Sequence, residues 1–426
     1  MRYFKNTSWM MGEQLLRMVA GLLVGVWVAR YLGPEQFGAF SYVLAFTSIV
    51  VSLAKLGLDN ILIRELINHP EQYNNYLGTA FWLKLIGAMF VIILLAFILP
   101  LTSNDTTTNF YIFIISLGLI FQSTEVIGFY FESQVLAKII SICKIIQLTL
   151  SSLLKIYLLL MQADLIWFVI VTLFDMVSLA ISYLIAYHFS KRIYFYLYFN
   201  KNLSFKLLKN AWPLIISTIL VSIYMRIDQI MIKEILGEYA VGIYSAAIKI
   251  SECWYCIPIL VSSSLFPAIM NAKKISNTLY LQRLQQLYIM MIWIAISIAI
   301  IVTLLNEQIV HFLYGTQYET ARFILILHIW TNVFVFIGII GSKWILSENL
   351  QIYANYFLII GILVNFSLNL ILIPAYGIIG SAISILISQI VSSYIAPALF
   401  KPTRLRFQMA TKALFPFNKR IAVEDS

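Results

Sequence analysis

The segment Leu32–Ser41, LGPEQFGAFS, comes back as LGEYAVGIYS at Leu236–Ser245. Both copies read L-G-x-x-x-x-G-x-aromatic-S. Gly33 and Gly237 suit the tight turn by which a chain leaves a helix, and Gly38 and Gly242 let the next helix start close to its neighbour. Long apolar runs flank each copy. The repeat therefore implies a chain of two related halves, each opening with a helical hairpin.

Working outward, runs of about twenty apolar residues, long enough to cross a bilayer, fall near 9–31, 37–57, 77–100, 109–131, 139–161 and 165–189. A second set falls near 211–235, 240–268, 284–305, 321–346, 353–373 and 376–399. With 61% hydrophobic and 11% charged residues over 426 positions, the chain has more apolar surface than a soluble core could hide. The expected fold is an all-α polytopic membrane protein of twelve transmembrane helices in two six-helix lobes. Residues 1–190 form the first lobe, 191–210 a linker, 211–400 the second lobe and 401–426 a basic tail.

Lys and Arg in short loops mark the cytoplasmic side. They collect after even-numbered helices, as Arg64, Lys138, the group Lys191, Arg192, Lys201, Lys206 and Lys209, and then Lys273, Lys274 and Arg283. Arg2 and Lys5 open the chain, and Lys401, Arg404, Arg406, Lys412, Lys419 and Arg420 lie in its last segment. The odd connections LTSNDTTTN, MQAD and IPAYG contain neither residue. Both ends are therefore expected in the cytoplasm. The same distribution accounts for the net charge of +10 without nucleic acid as a partner.

Ionisable residues inside apolar runs cost roughly 2.5 to 3.5 kcal/mol each at a helix centre, so they should face something polar. Glu13 and Arg17 are four residues apart in helix 1, followed by Gly21 and Gly25 in a close-contact spacing. Thr172, Asp175, Ser178 and Ser182 share a face of helix 6, and Lys144, Gln147, Ser151 and Lys155 one of helix 5. In helix 7, Arg226 shares a face with Ser222, Gln229 and Lys233, while Asp228 lies about 200° away and is expected to meet a neighbouring helix. Ser245, Lys249, Glu252 and Cys256 form a stripe on helix 8. Arg17, Arg226 and Lys249 are the candidate cavity cations. Glu13, Asp175, Asp228 and Glu252 are the candidate ion-coupling or charge-pairing acids. The competing role for all seven is interhelical pairing that only fixes the packing. For Lys84, snorkelling to the near interface competes with burial on equal terms.

No P-loop, G-x-S-x-G element or metal-ligand spacing is present, and Cys143, Cys253 and Cys256 fall in apolar runs as packing residues. A membrane-embedded polymerase or acyltransferase would need a large outer loop or a catalytic His or Asp cluster. Here every outer connection is short, the longest at 306–320, so no enzymatic activity, cofactor or bound metal is expected.

The opening through Leu66, with VWVARYLGPEQFGAFSYVLAF and LAKLGLDNILIREL, resembles the Wzx-type flippases of O-antigen and other polysaccharide repeat units. RIDQIMIKEILGEYAVGIYSAAIKI is similar to the seventh and eighth helices of that family, and FLYGTQYETA and IPAYGIIGSAIS fit its later loops. The wider superfamily also holds multidrug and toxin extruders and lipid II flippases. The resemblance implies a MATE-like, V-shaped fold in a bacterial inner membrane. It further implies movement of an undecaprenyl-pyrophosphate-linked oligosaccharide from the cytoplasmic to the periplasmic leaflet. Arg17 matches the cation in helix 1 of related flippases, and Arg226 with Asp228 the R-x-D of helix 7. Coupling to protons or sodium ions stays open. The partners so implied are the lipid-linked saccharide, membrane lipids, a polysaccharide polymerase and a chain-length regulator. A drug extruder of the same architecture is the alternative, against which the several embedded cations argue.

Overall fold

The computed structural model describes residues 2–190 and 194–415, with the side chains of residues 2–5 and 7 left aside. The expected cytoplasmic cations Lys191, Arg192, Lys419 and Arg420, and the side chains of Arg2 and Lys5, lie outside the described residues. All regular structure among the described residues is helical. In hydrocarbon no water satisfies the backbone, so each crossing segment must close its own hydrogen bonds.

The chain divides into two compact units, Met1–Arg226 and Ile227–Ser426. In the first, the helical run Arg2–Ala54 is broken at Gly33 into span 1 (2–32) and span 2 (34–54). After the short helix Asp59–Asn68 come span 3 (Tyr73–Ile98), span 4 (Thr106–Ser133), span 5 (Ala137–Leu160) and span 6 (Leu165–Phe189). Span 7 (Lys201–Leu236) is one continuous helix, and the division between units falls inside it. The segment 201–226, part of it expected as linker and part as second lobe, is thus compact with the first unit. The second unit continues with span 8 (Glu238–Ile275), span 9 (Asn277–Leu304), span 10 (Ala321–Ser347), span 11 (Gln351–Tyr376) and span 12 (Ile378–Leu399). Twelve spans result among the described residues, as expected from the apolar runs. The short helices Asp59–Asn68, Asn306–Tyr314 and Arg404–Leu414 are additional.

Span 3 shows why these helices need lipid. Ile86, Phe90, Ile93 and Phe97 recur at helical spacing and are 57%, 64%, 53% and 72% exposed. The opposite face, with Ala88, Val91, Ile92 and Leu95, is buried. Such a stripe has no soluble counterpart of this length.

The repeat expected from sequence has the same backbone in both copies. Gly33 takes φ 72°, ψ 170° and Gly237 φ 85°, ψ −178°, a region open essentially only to glycine. One apolar core of the first unit gathers Leu62 and Leu66 of the short helix, Leu77 of span 3, Ile127 and Phe131 of span 4, and Leu207 and Ala211 of span 7. The short helix is amphipathic, burying Ile61, Leu62, Glu65 and Leu66. Sequence scanning passed over it because ten residues fall short of a crossing.

In the second unit, spans 9 and 10 pack together with the terminal helix through Tyr288, Phe336, Ile340, Met409 and Ala413. This corrects the reading of Arg406 as a tail cation. It is buried, its Nη2 donates to the Ser393 carbonyl at 3.2 Å, and its guanidinium lies 5.3 Å from the centroid of the Phe357 ring. Two features make room for it. A side chain on Gly341 would collide with the guanidinium, and Pro397, four residues past Ser393, has no N–H to occupy that carbonyl, just after a π turn at Val391–Ile395.

At the start of span 4, Asp105 caps the helix by accepting from the amides of Thr107 and Thr108 at 3.1 and 3.2 Å. Partial burial pushes its carboxyl up, but the hydrogen bonds from Thr107 and Thr108 outweigh that and hold it below its ordinary 3.8. Its stabilisation is therefore present above the unfolded-state value and fades as pH falls through the lower folded one. Asp105→Ala is expected to cost about 1 kcal/mol, read as a lowered thermal midpoint in detergent at pH 7, with Asp105→Asn retaining most of the cap. Gly237→Ala should cost about 1 to 3 kcal/mol by forcing a side chain into the glycine region. A midpoint equal to that of an exposed mid-helix Gly→Ala control would contradict it.

Candidate functional site

The polar residues expected on spans 1, 5 and 6 form one connected chain inside the first unit. Arg17 follows Glu13 by one helical turn, and its Nε donates to Glu13 Oε1 at 2.8 Å. Arg17 Nη1 reaches Gln147 Oε1 on span 5 at 3.5 Å. The amide of Gln147 passes the connection on, donating to Asp175 Oδ1 on span 6 at 2.9 Å. Lys155 closes the series, donating to Asp175 Oδ2 at 3.2 Å and to Ser151 Oγ at 2.8 Å. At the other end Lys144 Nζ stands 4.0 Å from Glu13 Oε2.

Five charges therefore meet, Arg17, Lys144 and Lys155 against Glu13 and Asp175, with one positive charge in surplus. Their exposure is graded. The side chain of Glu13 is 8% exposed, while those of Arg17 and Lys144 are 42% and 38% exposed. Glu13 is held inside and its two cations are offered outward, while Lys155 and Asp175 are evenly covered. Such an arrangement orients the guanidinium without fully neutralising it, and leaves donors for an anionic group. Gln147 joins the Arg–Glu pair to the Lys–Asp pair, accepting from one and donating to the other.

Lys84 does not snorkel. Its side chain is 4% exposed and its Nζ lies 2.6 Å from Asp59 Oδ1 and 3.9 Å from Glu125 Oε2, over the Phe129 ring. The reason is local: the short helix Asp59–Asn68 places a carboxylate at its first position, where span 3 can reach it. An ammonium with two carboxylates beside it and an aromatic face above has little to gain from the interface.

In the second unit Asp228 faces away from solvent into spans 8 and 11. It accepts from Tyr244 Oη at 3.1 Å, from Asn365 Nδ2 at 3.0 Å and from Asn369 Nδ2 at 2.6 Å. Asn369 also donates to Asn365 Oδ1 at 3.0 Å. Beside it Gln229 donates to Ser245 of the repeated segment at 2.9 Å. Farther along span 8, Ser251 pairs with Asn332 and His328 of span 10. Arg226, Lys249 and Glu252 are half-buried, and each takes part in interactions of its own. Glu13, Arg17 and Asp175 are thus brought together in one network, while Asp228 anchors another.

Asn365 and Asn369 were not singled out from sequence, although two asparagines one turn apart in an apolar run carry the signal. His328 and Asn332 repeat that spacing on span 10. The three cysteines are free, and no group of His, Cys, Asp or Glu among the described residues is arranged to hold a metal.

Twelve crossing helices in two units, with buried polar chains inside each, define a multi-pass membrane protein of the MATE-like class. Solved structures share that fold. A lipid II flippase, MurJ, in an inward closed conformation matches with TM-score 0.71 at 17% identity, covering 95% of this chain and 90% of that one. An inward-facing multidrug resistance MATE family transporter matches with TM-score 0.66 at 17% identity, covering 93% and 96%. The polysaccharide biosynthesis protein family model matches residues 3–273, well over half of the chain, and the MatE model matches residues 213–371. The chain belongs to the polysaccharide biosynthesis protein family. The capsular polysaccharide biosynthesis protein CapF of Staphylococcus aureus is 24% identical over 399 residues, covering 91% of this chain and 96% of CapF.

The Asp228 cluster generates a prediction. Asp228→Leu strips the acceptor from three buried donors and should cost more than about 2 kcal/mol, while Asp228→Asn should cost less. Thermal unfolding of the purified variants in detergent checks the order, and equal midpoints for the two would contradict it.

Proposed function

We propose that this protein is a flippase for polyprenyl-pyrophosphate-linked repeat units of a bacterial surface polysaccharide. The observation that carries the reading is the cation-rich polar chain through spans 1, 5 and 6, in a chain whose family is polysaccharide biosynthesis. A pyrophosphate crossing hydrocarbon needs its charge met by donors already in place, since isolated charge is expensive there. Arg17 and Lys144, half exposed and held by Glu13, supply them. Arg226 and Lys249 are assigned the same task. The lipid tail stays in the bilayer while the head group passes.

The transported unit is assigned to the O-antigen or capsule class, on an undecaprenyl carrier, and the direction is from the cytoplasmic to the outer leaflet of the inner membrane. Both chain ends are assigned to the cytoplasm, a reading the loop cations support. Coupling to protons or sodium ions is assigned to the embedded acids Asp175, Asp228 and Glu252. A polysaccharide polymerase and a chain-length regulator are the expected protein partners, because a unit delivered outside must next be joined and counted. The MatE match over 213–371 favours one second reading, a cation-coupled extruder of organic cations.

The test is reconstitution in liposomes with a labelled polyprenyl-pyrophosphate oligosaccharide, scoring the fraction that becomes accessible in the far leaflet. Protein-dependent transfer is expected. Arg17→Ala and Arg226→Ala should each lower its rate about tenfold, the loss of roughly one charge-assisted hydrogen bond, with Lys274→Ala unchanged at matched protein level. No transfer of saccharide together with uptake of an organic cation would replace this reading with the second.

A further inference from the structure

Between span 6 and span 7 the chain carries YFYLYF at 194–199, and its setting is unlike that of an ordinary connection. Phe195 alone turns inward, 2% exposed, with its ring 5.5 Å from that of Phe81 and 5.2 Å from that of Tyr187. The backbone on either side is fastened to span 3. Trp82 Nε1 donates to the Tyr196 carbonyl at 2.8 Å, and the Asn200 amide donates to Thr79 Oγ1 at 3.1 Å. Gly78 lets the connector lie directly on span 3, since any side chain there would strike the carbonyls of Phe195 and Tyr198. With its backbone fixed, the connector turns its remaining rings outward. Tyr194, Tyr196, Tyr198 and Phe199 are 54%, 43%, 45% and 52% exposed.

Span 7 continues the pattern. Lys201, Phe205, Lys209 and Trp212 fall on one face and are all exposed, Phe205 at 71% and Trp212 at 60%. Along the chain the charge is of one sign, with no Asp or Glu from residue 176 to residue 227, and the neighbouring carboxylate Glu65 is taken by Lys206 at 3.5 Å, which leaves Lys201 and Lys209 to the stripe. Length leaves room for this stripe outside the hydrocarbon core. The helix has 36 residues, about 54 Å, whereas the hydrocarbon core needs about 30 Å. If the core takes the last twenty or so residues, the first fifteen or so stand beyond it, with Trp212 near the boundary that indoles favour.

We propose that the connector and the first three turns of span 7 form a platform in the headgroup layer that recognises anionic phospholipid. Lys201 and Lys209 meet the lipid phosphates, and the tyrosines, Phe205 and Trp212 sit at the level of the glycerol backbone. The partner is the lipid surface itself, so the inference stands apart from the saccharide reading above.

The test uses the full chain in phosphatidylcholine vesicles containing about one-fifth phosphatidylglycerol, with a trace of either lipid spin-labelled, at about 0.1 M salt, where surface charge is only partly screened. The immobilised fraction should favour phosphatidylglycerol, and Lys201→Gln with Lys209→Gln should lower that preference about threefold or more. Lys201→Arg with Lys209→Arg should keep it, and so should Lys274→Gln. The same preference in wild type and in the double Gln variant overturns the proposal. So does a double Gln variant that keeps its lipid preference but no longer binds a polyprenyl-pyrophosphate saccharide, which would make the platform a substrate site. Failure of wild-type saccharide transfer bears on the proposed function alone.

Discussion

A polar group carried into hydrocarbon must find its partner within the helix bundle, because the surrounding solvent offers none. That constraint orders nearly everything seen here. It makes each crossing segment a helix, and it collects the embedded charges into chains rather than leaving them scattered. Asp228 illustrates the outcome with three donors from two other helices around one carboxylate. Lys84 illustrates it with two carboxylates and a ring around one ammonium. In both cases the charge is enclosed. The chain through Arg17 and Gln147 differs at one end, where Glu13 lies deep and Arg17 and Lys144 remain partly open. That asymmetry leaves donors of Arg17 and Lys144 uncovered, which the two enclosed clusters do not.

Much of this architecture was legible in the sequence because two of its signals are long. Twenty-residue apolar runs are read by length alone, and all twelve spans lie where the runs lie. Glycines at 33 and 237 could be matched because a backbone conformation closed to other residues leaves the same letter at each copy. The stripes on spans 5 and 6 were legible from helical spacing. What spacing could not supply was the partner across helices. Nothing in the order of residues says that Gln147 lies between Arg17 and Asp175, or that Asn365 and Asn369 approach Asp228, since such contacts depend on how helices rotate about their own axes. Lys84 shows the same gap at shorter range. Its fate depended on a ten-residue helix too short to register as a crossing.

Arg406 is the instructive departure. Counting cations toward a tail treats every Lys and Arg as equally solvated, and loop charge does predict sidedness on average. A single residue escapes the average when packing offers it a slot. Gly341, Pro397 of span 12 and the ring of Phe357 together build one. The orientation expected from the loops does not depend on Arg406, since Arg64, Lys138, Lys273, Lys274 and Arg283 carry it independently.

The buried guanidinium also bears on how this gene can be cut and joined. A shortened form ending at residue 403 would leave an opening shaped for a flat cation under span 10, lined on one side by a carbonyl with no donor. A purification tag or a fluorescent reporter attached just after Phe415 would leave the plug seated. The helix Arg404–Leu414 is the stopper of its own domain.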